Sequence, residues 1–122
     1  MRILIVEDNP DVGVTLRMVL QALGHDLRHV HDAETALDVV PAFKPQVIVL
    51  DLGLPGMTGH EVAVPLRKAA GDEDLMIVAL TGWGRDEDRE RSRQAGIDYH
   101  LVKPLDLEVL KEVIRRHPAN AS

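Results

Sequence analysis

The chain of 122 residues has no cysteine, which excludes disulfides and thiolate metal sites and suits a reducing compartment. Aromatic side chains are almost missing: Phe43, Trp83 and Tyr99 are the full set. A core must therefore be aliphatic, built from Leu, Val, Ile and Ala. The net charge of −6 argues against a nucleic-acid-binding surface. No apolar run approaches the roughly 20 residues of a membrane span. The first strand-like run begins at Arg2-Ile3, which leaves no room for a signal peptide. These absences point to a soluble, cytoplasmic, single-domain chain, and an apolar content of 45% is enough for one core.

What is present alternates. Short aliphatic runs at about 2–7, 26–30, 47–51, 75–80 and 99–102 alternate with helical stretches at about 10–23, 33–42, 59–70, 85–95 and 106–117. Five such units imply a parallel α/β sheet covered by helices on both faces. Asn9 caps the first helix, Pro10 opens it and Gly24 stops it. Val12, Leu16, Val19, Leu20 and Leu23 form its apolar face. The second strand has only Leu27 and Val30 as strong apolar residues and is placed at the sheet edge. Pro65 sits inside the third helix, where a proline costs roughly 3 kcal/mol, so a kink or a late start is expected. The stretch from Arg85 to Arg93 is nearly all charge and reads as a solvated face. Its functional alternative is a loosely held element that shifts and presents a partner surface. Pro118 ends the last helix, so a domain of residues 1–117 with a disordered tail of 118–122 is expected, and no output domain follows.

The unusual polar residues stand at strand ends. Leu4-Ile5-Val6 runs into Glu7-Asp8, and Val47-Ile48-Val49-Leu50 into Asp51. Ile77-Val78-Ala79-Leu80 runs into Thr81, and Leu101-Val102 into Lys103-Pro104. Ligands of an open parallel sheet bind beyond the carboxyl ends of its strands. If these four runs are neighbours, one cleft collects three acids, a hydroxyl and an ammonium. Two unit charges ~4 Å apart interact with about 4 kcal/mol at an effective dielectric of about 20, so the acids need compensation beyond Lys103. A hard divalent cation supplies it, and Mg2+ (with Mn2+ as an alternative ion) keeps open positions for phosphoryl oxygens. Asp51 is then the candidate nucleophile. Lys103 would neutralise charge on the transferring group, Thr81 would donate a hydrogen bond to it, and the Gly53 carbonyl is free to reach the metal.

This ordered set resembles the receiver domain of two-component response regulators, over nearly the whole chain from Arg2 to about Arg116. The resemblance implies a flavodoxin-like, doubly wound, five-stranded parallel sheet of order 2-1-3-4-5, with five helices in three layers. It implies Asp51 as phosphoacceptor from the phosphohistidine of a sensor histidine kinase. It implies Asp8, Asp51 and the Gly53 carbonyl as Mg2+ ligands, with Glu7 acting through water. Thr81 and Lys103 become the phosphoryl contacts, and the bond before Pro104 is expected to be cis. A downstream protein partner would read the 85–103 surface. Neither nucleic acid nor membrane is implied. Residues 51–57 and 81–84 also resemble receiver modules of hybrid sensor kinases; a stand-alone single-domain regulator and a module of such a kinase are both compatible with the resemblance.

Two positions depart from the family pattern. The switch aromatic three residues before the lysine is here His100, and Tyr99 is one position off, on the opposite face of a strand. Gly53 and Trp83 flank the site, where the family tunes the lifetime of the phosphorylated state. Gly53 admits water, while Trp83 either shields the phosphate or packs on the fourth helix. The alternative reading is a pseudo-receiver, a protein-binding module that is not phosphorylated; the intact acids and Lys103 argue against it. An aspartyl-phosphate hydrolase would need a second Asp where Gly53 stands, and a flavin site would not open on Glu7-Asp8-Asn9-Pro10. His25, His29 and His31 share strand parity, but a zinc face is disfavoured because nothing supplies a fourth ligand.

Overall fold

The computed structural model describes residues 1–52, 59–71, 74–81 and 94–118. Five parallel strands form one sheet: β1 (Arg2–Val6), β2 (Asp26–Val30), β3 (Val47–Asp51), β4 (Met76–Thr81) and β5 (Tyr99–Val102). Their order is β2-β1-β3-β4-β5, with β2 at an edge as its sparse apolar content requires. Four helices lie among the described residues: α1 (Pro10–Ala22), α2 (Ala33–Phe43), α3 (Gly59–Ala70) and α4 (Leu107–Arg115). Gly53, Trp83, nearly all of the helix expected over 85–95, and residues 119–122 lie outside the described residues.

The sheet divides the core in two. Leu16 and Leu20 of α1 and Leu110, Val113 and Ile114 of α4 cover Ile3, Ile5, Val47, Val49 and Val78. Ala36 and Val40 of α2 and Val62 and Leu66 of α3 cover Leu4, Val6, Ile48, Leu50 and Ile77 on the other face. Every residue of β3 and β4 is buried, which is why those runs show no alternation. Asn9 accepts from the Asp11 and Val12 amides, Asp32 from Thr35 and Asp106 from Glu108, so each of these helices begins where a short polar side chain can cap it.

Three details differ from expectation. The α1 stripe ends earlier than its spacing suggested, because the helix stops at Ala22 and Leu23 becomes the half-exposed C-cap. The third helix does not start late: α3 runs from Gly59 through Pro65 to Ala70. Only the bond from position 65 back to the Glu61 carbonyl is forgone, and Glu61 lies on the exposed side of the helix. Finally, β4 is shifted by one residue, so Thr81 is the last residue of the strand and not the first after it.

Candidate functional site

Backbone bonds carry the sheet ladder beyond the strand ends and place the polar residues. The Glu7 amide donates to the Val30 carbonyl at 3.1 Å, the Leu52 amide to Leu80 at 2.9 Å, and the Lys103 amide to Thr81 at 2.7 Å. Four consecutive strands in space, β1, β3, β4 and β5, thus deliver Glu7-Asp8, Asp51, Thr81 and Lys103 at one end of the sheet. The Lys103–Pro104 bond is cis, as expected.

The acids converge. One carboxylate oxygen each from Glu7, Asp8 and Asp51 lies within 4.8 Å of the other two. Glu7 and Asp51 are buried, at 1% and 4% exposure, whereas Asp8 is exposed. Lys103 Nζ donates to Asp51 Oδ1 at 3.1 Å and lies 3.9 Å from Glu7 Oε2. Thr81 is buried at the end of β4, the strand between those of Asp51 and Lys103. Glu7 folds back under its own turn, so that Oε1 accepts the Asn9 amide at 3.1 Å. Burial pushes the Glu7 carboxyl above its ordinary pKa; the Asn9 amide pulls it down, the neighbouring Asp51 charge pushes it up again, and Lys103 opposes that.

The donor set fits a hard divalent cation. Three carboxyls cluster, and the Lys103 ammonium lies within 3.9 Å of two of them, Asp51 and Glu7. Glu7 Oε2 is buried with no hydrogen-bond donor among the described residues, an arrangement that a cation or a metal-bound water relieves. Gly53, the remaining expected ligand, lies outside the described residues.

His100 is half-buried on β5 and pairs in register with Ala79. It therefore faces the same side of the sheet as Ala79 and, two residues on, Thr81. Tyr99 turns the other way and packs into the α1–α4 layer. The one-residue offset thus puts an imidazole, not a phenol, on the Thr81 side.

Two arrangements escaped the sequence reading. His29 Nε2 donates to the Glu7 carbonyl at 2.9 Å, and the His29 and His31 rings meet edge to face at 4.6 Å. Arg67 of α3 reaches the Gly96 and Leu75 carbonyls and the Asp98 carboxylate. A glycine at a buried position of α1, Gly13, was the one available signal for the first. The second joins residues up to 31 apart and left no local trace.

The sequence model described as response regulator receiver domain matches residues 3–115. The response regulator MprA of Mycobacterium avium (strain 104) is 39% identical over 90% of this chain, which spans 47% of that protein. Sporulation initiation phosphotransferase F of Bacillus subtilis (strain 168) is 26% identical over 95% of this chain and 92% of its own length. Among solved structures, the receiver domain of a sensor histidine kinase from Pseudomonas aeruginosa PAO1 superimposes with a TM-score of 0.83. It is 29% identical and covers 95% of both chains, and it holds a magnesium ion coordinated in its active site cleft.

Proposed function

The chain belongs to the response regulator receiver domain family, and on that footing we propose that it accepts a phosphoryl group on Asp51 within a two-component phosphorelay. The observation that supports this best is the position of Asp51. Its carboxylate closes a fully buried strand, contacts Lys103 at 3.1 Å and shares a 4.8 Å cluster with Glu7 and Asp8.

An Asp51 carboxylate oxygen attacks the phosphorus of a kinase phosphohistidine. The new bond is O–P, the bond that breaks is P–N, and the departing imidazole takes up a proton. Asp8, Asp51 and the Gly53 carbonyl would hold Mg2+, with Glu7 acting through water, and the ion would supply positive charge to the phosphoryl oxygens. The Lys103 ammonium moves its ion-pair contact from Asp51 to a phosphoryl oxygen, and the Thr81 hydroxyl donates to another. Those new contacts draw Thr81 toward the group and bias His100 and the 85–95 segment toward a second arrangement, which a downstream protein reads over 85–103. The domain acts only on itself, in gaining and losing the phosphoryl group, and works in the cytoplasm beside its kinase.

Incubation with acetyl phosphate and Mg2+, followed by intact-mass measurement, tests the reading. Wild type gains one phosphoryl group, and chelation of Mg2+ or Asp51→Asn abolishes the gain. Equal labelling of Asp51→Asn, or none of wild type with Mg2+ present, rejects it.

A further inference from the structure

The turn that carries Glu7 and Asp8 is braced from the edge strand by an imidazole. His29 Nε2 stands 2.9 Å from the Glu7 carbonyl oxygen. A carbonyl only accepts, so Nε2 carries the proton. That carbonyl belongs to the peptide joining the two acids. Holding its oxygen fixes the plane from which the Asp8 side chain departs. The other bonds of the turn run along or below it: the Glu7 amide to Val30, and the Asn9 amide to Glu7 Oε1.

The imidazole has little freedom. His29 shares strand parity with Leu27, which faces the α1 layer. Above it α1 presents Gly13, where an added Cβ would lie 2.0 Å from His29 Cε1 and 2.2 Å from Nε2. Glycine weakens a helix interior, so at this buried position it marks a close approach. On its other flank the His31 ring packs edge-on at 4.6 Å.

We propose that His29 is a positioning residue of the cation site: through the Glu7 carbonyl it holds the Glu7-Asp8 pair in the geometry that Mg2+ requires. This rests on the phosphoacceptor reading of that site. Outer hydrogen bonds orient the groups that ligate a metal, and their loss weakens binding without removing a ligand.

The test measures Mg2+ binding to the whole chain by titration calorimetry, beside long-range proton–nitrogen spectra of the imidazoles. Wild-type His29 shows the Nε2-protonated tautomer. His29→Phe keeps a ring and loses the donor, and binds Mg2+ about tenfold more weakly, the lower end for loss of such a support. His29→Gln places an amide N–H where Nε2 was and recovers most of the affinity. Gly13→Ala, which displaces the imidazole and leaves every acid in place, weakens binding like His29→Phe and stands in for it should the larger ring not fit. Unchanged affinity in His29→Phe or Gly13→Ala, an Nδ1-protonated ring, or a folded His29→Gln as weak as His29→Phe overturns the inference alone. A wild-type chain that binds no Mg2+ overturns the cation-site reading, and this inference with it.

Discussion

Lys103 Nζ sits 3.1 Å from Asp51 Oδ1 although 52 residues separate them in the chain. Only the strand order β3-β4-β5 makes them near neighbours, with Thr81 on the strand between. The same ammonium lies 3.9 Å from Glu7 Oε2, so one cation is shared by two buried acids.

Sharing has a consequence for metal binding. On the proposed reading Lys103 competes with Mg2+ for Asp51, and Lys103→Met removes both the competitor and the proposed phosphoryl contact. We expect tighter Mg2+ binding in Lys103→Met, together with phosphorylation by acetyl phosphate on the order of 100-fold slower, as for loss of a preorganised charge contact. Calorimetry and intact mass check the two separately; weaker Mg2+ binding contradicts the competition.

Glu7 introduces a pH dependence. Burial, the leading cause, raises its folded-state pKa above the ordinary 4.5. The folded state then holds a proton that the unfolded chain has released. Stability from this group is present below pH 4.5 and falls as pH rises through the elevated folded value. In Mg2+-free buffer at neutral pH, Glu7→Gln is therefore more stable than wild type, and the difference shrinks to nothing on acidification. Added Mg2+ favours the carboxylate and reverses the order. Urea unfolding at several pH values reads this directly; a Glu7→Gln variant less stable than wild type at neutral pH without Mg2+ contradicts it.

Thr81 is buried at the end of β4 and carries no charge. Its replacement should separate transfer from metal binding. Thr81→Ala leaves Mg2+ affinity close to wild type and slows phosphorylation about tenfold, a modest loss for one neutral donor. A large drop in Mg2+ affinity would show that the hydroxyl supports the acids instead.

Arg67 is a structural hub. Its guanidinium donates to Gly96 O, Leu75 O and Asp98 Oδ2, and Asp98 Oδ2 also accepts the Ile77 amide. Arg67→Ala strands these acceptors and costs about 2 kcal/mol, the scale of unsatisfied partly buried groups. Arg67→Lys recovers little, because a single ammonium cannot span the three. Gly96→Ala is destabilising as well: its φ is +91°, and a Cβ there meets Arg67 Nε at 2.8 Å. Urea midpoints on the folded variants measure each; a neutral Arg67→Ala refutes the hub.

Much of this was legible in the sequence. Asp51, Thr81 and Lys103 end or follow uninterrupted aliphatic runs, and such runs identify covered parallel strands whatever their order. The edge position of β2 showed in its sparse apolar residues, Leu27 and Val30. Long-range geometry was not legible. His29 could be assigned a face by parity, but its bond to Glu7 depends on how closely α1 approaches the sheet, which Gly13 permits. Arg67 and Asp98 carry no local signal of their link, because nothing in the sequence tells a surface guanidinium from one that spans a helix and a loop. The late start expected from Pro65 does not occur, because forgoing one amide bond to exposed Glu61 costs less than the generic figure for an interior proline.

The amide bonds from Glu7 to Val30, Leu52 to Leu80 and Lys103 to Thr81 tie each reactive turn to an adjoining strand. On the proposed reading, the geometry of phosphoryl transfer would inherit its precision from main-chain atoms that any residue supplies. The solvent sides of the described helices make none of these three bonds, so substitutions there would retune partner recognition while the chemical step stays intact.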